Sequence, residues 1–221
     1  MRLRRLTLLT ADVPALTAFY GERLGLPITA ASAERLTLAV GADCLTFEAA
    51  PAGTAPFYHL AFDVPASALD AAADWLAAAA PLLPMSDGAR IAEFPNWQAR
   101  STYALDPAGN ILELIGRRPP GTEAVAAPFG AAQVRGLSEI GVVAPNLPAI
   151  VARLQAEIGL PTFARQPPTE RFVVFGTDDG LLIVVPPGRA WFPTTIPADV
   201  FPLTIELEPA PGRAPVVLRL P

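Results

Sequence analysis

Cysteine and histidine are almost missing from this chain, with one of each, Cys44 and His59, in 221 residues. A lone cysteine forms no disulfide within the chain, so nothing points to secretion. A lone histidine cannot build the two-histidine, one-carboxylate triad of a non-haem iron oxygenase. Charge is scarce too: Asp, Glu, Lys and Arg make up 17% of residues, and the net charge of −5 with scattered arginines excludes the basic face of a nucleic-acid binder. The one early basic cluster, Arg2, Arg4 and Arg5, reads as a solvated strand edge.

Long hydrophobic runs are lacking as well. The longest, around Ala71 to Leu83, is interrupted by Asp74 and is too short to cross a bilayer. Asp12 and Pro14 break any signal-peptide pattern near the start. There is no Gly-rich phosphate loop, nucleotide fingerprint or nucleophile elbow. A soluble cytoplasmic protein with no nucleic-acid or membrane partner is the expectation.

What the chain does have is apolar bulk, 52% of residues, and 26 prolines set between apolar runs, where they restrict loops. Residues 3–9 alternate as a strand. Asp12 and Pro14 then start a helix whose Leu16, Phe19, Tyr20 and Leu24 recur at helical spacing until Gly25. Three short strands follow, at 28–31, 35–40 and 44–48. The order returns with a strand at 58–64, a helix at 66–80, a weak strand at 82–85 and better ones at 101–105 and 111–115. The turn between the last two is Asp106-Pro107-Ala108-Gly109-Asn110. A third round has a strand at 137–144, a helix capped by Asn146, and strands at 163–165, 172–175 and 181–185. Two strands at 201–207 and 215–220 end the chain without a helix between them.

The period of about 55 residues fits neither helical repeats nor propellers. Asp12-Val13-Pro14-Ala15-Leu16 matches Asn146-Leu147-Pro148-Ala149-Ile150, and Gly25-Leu26-Pro27 matches Gly159-Leu160-Pro161. The predicted fold class is α+β: repeated βαβββ modules paired into a curved, cup-like mixed sheet. Residues 1–118 are expected to hold two paired modules forming the main cup, 119–133 a linker, and 134–221 a third module plus a reduced fourth. The helices at 13–24 and 66–80 should lie on the convex side of one shared sheet. The tail strands are expected to cover part of module three, with a homodimer burying the rest.

This pattern resembles the vicinal oxygen chelate superfamily of glyoxalases, bleomycin-resistance proteins and extradiol dioxygenases. The passage Arg100 to Leu114, with its Asp-Pro-Ala-Gly-Asn turn before Glu113, is similar to the family's closing strand pair. Tyr58 to Val64 is similar to a module's first strand, and Phe19-Tyr20 ahead of Gly25-Leu26 is typical of the first helix. The resemblance implies metal ligands on the first and last strands of two paired modules. In module two these positions fall on His59 and Glu113. In module one they fall on Arg5, which is no metal ligand, and on Thr46, with Glu48 two residues on and on the same face. In module three they fall on Glu139 and on Ile183 or Val184, so that module is expected to hold no metal.

The candidate metal ligands are therefore His59, Glu113 and Glu48, for one divalent ion (Zn, Ni, Mn or Fe), with no cofactor as the alternative. Glu113 is the candidate catalytic carboxylate. Arg5, Thr46, Trp97 and Tyr103 are candidate ligand-binding residues. Arg5 offers a guanidinium fork for an anionic group, and Trp97, in the segment 86–100, is a candidate lid. Glu139, beside an apolar strand, needs an arginine or solvent if buried. Two functions stay open. One is a glyoxalase-like, metal-dependent lyase or isomerase. The other is a metal-free small-molecule binder resembling bleomycin-binding proteins.

Overall fold

The computed structural model describes residues 1–117 and 128–221. Strand β1 (Arg2–Thr10) leads into α1 (Val13–Leu16), which continues as a π-helical segment over Thr17–Arg23. The Asp12 carboxylate caps this helix by accepting from Ala15 N at 2.8 Å. Strands β2 (Ile28–Ala31), β3 (Arg35–Val40) and β4 (Asp43–Ala49) complete module one. Module two comprises β5 (His59–Asp63), α2 (Leu69–Ala77), β6 (Ala92–Phe94), β7 (Ala99–Leu105) and β8 (Ile111–Arg117). Module three comprises β9 (Gly136–Val143), α3 (Leu147–Arg153) with a π-helical extension Leu154–Ile158, β10 (Val173–Thr177) and β11 (Gly180–Val185). The tail supplies β12 (Leu203–Glu208) and β13 (Val216–Leu220). Among the described residues, no helix is long and apolar enough to cross a membrane.

The repeated βαβββ modules pair into curved mixed sheets, but the partners differ from the expected ones. One sheet runs β13-β12-β1-β4-β3-β2 and the other β10-β11-β9-β5-β8-β7-β6. Module one thus joins the tail through β1 and β12, and module two joins module three through β5 and β9, both antiparallel. The expected cup over 1–118, built from modules one and two, is replaced by one built from modules two and three. The physical reason lies in edges. Within each module the first and last strands are parallel neighbours, β1 with β4, β5 with β8 and β9 with β11, so the first strand keeps one free edge. The repeat shows which edge is free but not which partner takes it.

Two weak strands are also relocated. Leu82 makes only an isolated bridge to Ala104, and the strand that pairs with β7 is β6, further along. The stretch around Phe163 likewise forms only the bridge Thr162–Phe175. Most of the expected linker at 119–133 lies outside the described residues.

The two sheets share one core. Leu6, Leu8 and Phe47 of the first meet Leu60, Phe62, Ile140 and Val184 of the second, with the buried faces of the helices joining them. Tyr20 of the first helix bridges the sheets: its ring stacks on Phe47 at 5.4 Å and tilts against Phe62 at 6.4 Å. The apolar face of module three that motivated a second subunit is buried within the chain, since Phe175, Leu182 and Val184 belong to this core. Gly41, at φ 55°, makes the β3–β4 turn and lies so close to the second sheet that an added Cβ would stand 2.1 Å from the carbonyl oxygen of Arg135.

The tail is part of this architecture. Leu203, Ile205 and Leu207 of β12 are buried beside β1, and Leu218 of β13 is buried next to β12. Losing such side chains costs about 2–5 kcal/mol each, against a net stability of about 5–15 kcal/mol for a domain. A chain ending at Gly188 should therefore lose its cooperative thermal transition by circular dichroism. A sharp, native-like transition in the truncated protein would show the tail to be dispensable.

Candidate functional site

The turn that stood out in the sequence sets the position of β5. Asp106 Oδ1 accepts from the backbone N–H groups of Ala108 and Asn110 at 2.9 and 3.0 Å. Asp106 Oδ2 accepts from Asn110 Nδ2 at 2.7 Å and from the Tyr20 hydroxyl at 2.9 Å. Asn110 in turn accepts from the backbone N–H of Tyr58 at 2.8 Å, which docks the start of β5 beside β8. Burial pushes the Asp106 carboxyl up, against the hydrogen bonds it accepts, and pushes the Tyr20 phenol well above its ordinary range.

Strand alternation then sorts the side chains. On β5, Leu60 and Phe62 enter the main core while His59 and Ala61 face the opposite side. Ala61 lies between Glu113 of β8 and Glu139 of β9, directly opposite both in register. Tyr103 of β7 lies across from Glu113. Two glutamates thus flank one small residue on the floor of a concave sheet. They are 3% exposed each, with His59 at 6% and Arg117 at 8%.

Each carboxylate has a cationic or imidazole partner. His59 Nε2 lies 2.9 Å from Glu113 Oε2. Arg117, four residues beyond Glu113 on the same strand, donates from Nη2 to Glu139 Oε1. This is the arginine that a buried Glu139 requires. Burial pushes Glu113 up, but the His59 hydrogen bond and charge, aided by Arg117, outweigh it and hold the carboxyl below its ordinary value. The ionised Glu113 accepts, so His59 donates from Nε2, and His59 Nδ1 has no partner among the described residues. Glu139 behaves oppositely. Burial and then the Glu113 charge push it up to about 7, against the pull of Arg117 and His59. Tyr103, buried beside both carboxylates, is driven well above its ordinary range by burial and their charges.

Above this floor is a cavity of about 610 Å³ with aromatic walls of Phe94, Trp97, Phe172, Trp191 and Phe192. Trp191, on the segment between β11 and β12, stacks on the His59 ring at 5.2 Å. It packs over Gly141, where an added Cβ would lie 2.6 Å from the indole. Trp97 stands on a 3-10 turn, Pro95–Trp97, over the Arg117 guanidinium at 6.0 Å, and donates from Nε1 to Gln166 Oε1 at 3.1 Å.

The structure brings together His59, Glu113, Trp97 and Tyr103 of the sequence candidates. It places Arg5, Thr46 and Glu48 on the other sheet. There Arg5 faces Glu206 at 3.7 Å and donates to Cys44 Sγ at 3.0 Å, Thr46 contacts Thr37, and Glu48 pairs with Arg35. Phe47 is core, and Phe57 packs on Phe201. Sequence reasoning passed over Arg117, Trp191 and the part of Glu139 in this site. Extending β8 by two residues at the same alternation would have found Arg117; for Trp191 no local signal exists.

The site is a poor match to a metal centre. Among the described residues, no group of three or more His, Cys, Asp or Glu side chains is arranged to hold a metal ion. The His59 Nε2 that would ligate is bonded to Glu113, and Glu139 is bonded to a guanidinium. Ile183, on the cup face of β11 beside Glu139's neighbour Leu181, offers no ligand.

Because Glu139 is better protonated folded than unfolded, its contribution to stability falls as pH rises from its ordinary 4.5 toward 7. Arg117→Leu strands this carboxylate and should cost about 3–5 kcal/mol above pH 7, with a smaller loss at pH 5, where Glu139 is protonated. Glu139→Gln should flatten the decline in melting temperature between pH 5 and 7. Urea titrations and thermal melts across pH check both, and an Arg117→Leu loss independent of pH would contradict the assignment.

No protein-family model and no curated protein matches the sequence. Solved structures do match the fold. A "putative dioxygenase" from Bacillus subtilis superposes with TM-score 0.59 at 16% identity, covering 84% of this chain and 63% of that one. Glyoxalase I from Zea mays superposes at 0.51 with 13% identity, covering 84% and 66%, and a variant of it at 0.52, covering 89% and 70%. The chain spans less than two thirds of the length of the Bacillus protein. At these identities the likeness is one of fold, and it agrees with the module repeat and sheet pairing: the chain has the fold of the vicinal oxygen chelate superfamily.

Proposed function

We propose that the cup of modules two and three binds a small organic molecule with a flat apolar body, and that it does so without a resident metal. The observation that carries this reading is the pairing of the floor. The charges of Glu113 and Glu139 are met by His59 and Arg117, so the cavity needs no cation to be stable, while its walls are aromatic. Its volume of about 610 Å³ suits a molecule of drug-like size.

The metal-dependent lyase or isomerase implied by the resemblance is the competing reading. One observation favours a catalytic role: Glu113 and Glu139 are pushed apart in acidity, the arrangement that gives two neighbouring carboxyls separate acid and base tasks.

Trp97 and Trp191 line the cup while Trp75 packs on Phe129 outside it, which makes tryptophan fluorescence a reporter of occupancy. In a Trp75→Phe background, planar aromatic compounds should change the emission saturably, and Trp191→Ala should weaken binding about tenfold, or about 1.4 kcal/mol. Elemental analysis of the dialysed protein should find no stoichiometric divalent metal. One tightly held metal per chain, or the absence of any saturable response, would overturn the proposal.

A further inference from the structure

Arginine is the only basic residue type in this chain beyond the single histidine, and most of the described arginines have an acidic partner. Arg4 meets Glu208, Arg35 meets Glu48, Arg100 meets Asp70 and Glu93, and Arg165 meets Asp178. Arg171 and Arg189 are different. Both line the cup, and neither forms an ion pair with a carboxylate among the described residues. Arg189 is half-buried, lies 4.5 Å above the ring of Phe172 and donates only to the carbonyl of Ala190, at 3.3 Å. Arg171, next in sequence to Phe172, is exposed, and its charge bears on Arg189: burial and then Arg171 lower the Arg189 pKa. Two like charges held against one cavity repel each other unless an anion joins them. Among the described residues, the carboxylates lining this cavity, Glu113 and Glu139, are bonded to His59 and Arg117 instead.

The floor is polarised the other way. Glu113 and Glu139 would repel an anionic group brought down to them, so a negative charge is favoured only on the arginine side. Trp97, Trp191 and Phe192 line the same cavity and suit a flat apolar body.

We propose that the cup's ligand is an amphipathic anion, a small aromatic or similarly flat molecule carrying one carboxylate or phosphate, bound with that group between Arg171 and Arg189 and its neutral end toward Glu139. The proposal rests on the cup reading above and adds a charge and an orientation to it. Guanidinium forks bind either anion bidentately, so the chemistry shared by carboxylate and phosphate defines the class.

Three probes of one shape test it by titration calorimetry on the full chain: 2-naphthoate, 2-naphthyl phosphate and neutral 2-naphthamide. At least one anion should bind about tenfold or more tightly than the amide. The advantage should shrink with added salt and disappear in Arg171→Gln/Arg189→Gln, while the amide's affinity stays unchanged. The better of the two anions then identifies the group. If all three probes bind equally, or the double variant keeps the preference, the anion site is overturned and the cup reading stands. If none of the three binds, both are overturned. Unchanged amide binding in the variant separates loss of the anion site from damage to the fold.

Discussion

The antiparallel pairing of β5 with β9 is the constraint on which the site depends. It joins modules two and three into one curved sheet and sets Glu139 across Ala61 from Glu113. Two buried carboxylates so close would be untenable alone, since a buried charge without a partner costs several kcal/mol. Arg117 and His59 are the answer to that cost. Their places on β8 and β5 follow from the same alternation that points the glutamates inward. The smallness of Ala61 between the glutamates and of Gly141 under Trp191 keeps the floor open to its aromatic walls.

A second set of interactions holds this sheet to its neighbour. Tyr20 leaves the helix of module one and reaches Asp106 in the turn of module two, while Tyr58 at the start of β5 accepts from Leu9 N at 3.2 Å and donates to the Pro202 carbonyl at 2.7 Å. These buried bonds tie β1, the tail and the β7–β8 turn to the strand that carries His59. Because Tyr20, Asp106, Asn110 and Tyr58 are each hydrogen-bonded within it, the network specifies one arrangement of the two sheets rather than merely adding stability. The turn motif that marks the family resemblance is thus structural in this chain, and its influence on the site passes through the backbone of Tyr58.

The segment between β11 and β12 gives the cup its depth. It leaves the sheet, is held by bonds such as Trp191 N to Ile196 O at 2.9 Å and Ala198 N to Arg189 O at 2.7 Å, and returns as β12 beside β1. This one connection, residues 186–202, therefore carries Arg189, Trp191 and Phe192 over the floor while linking the two sheets. The wall of the cavity and the integrity of the first sheet depend on the same stretch of chain.

The repeat of strand, helix and strands was legible because alternation and helical spacing act over a few residues, and the caps at Asp12 and Asn146 and the turn at Asp106 act over fewer still. His59 and Glu113 were legible as inward-facing polar residues in apolar strands for the same reason. The choice of sheet partner was not. Every module presents a similar free first strand, so the sequence by itself determined the modules and the faces of their strands, while packing across distant edges decided which modules meet. That choice moved Arg5, Thr46 and Glu48 away from the site and brought Glu139 into it. It also made Arg117 a counter-ion and Trp191 a wall. Pairing energy is nearly indifferent to sequence separation, and only the burial of both sheets in one core discriminates among the possible partners.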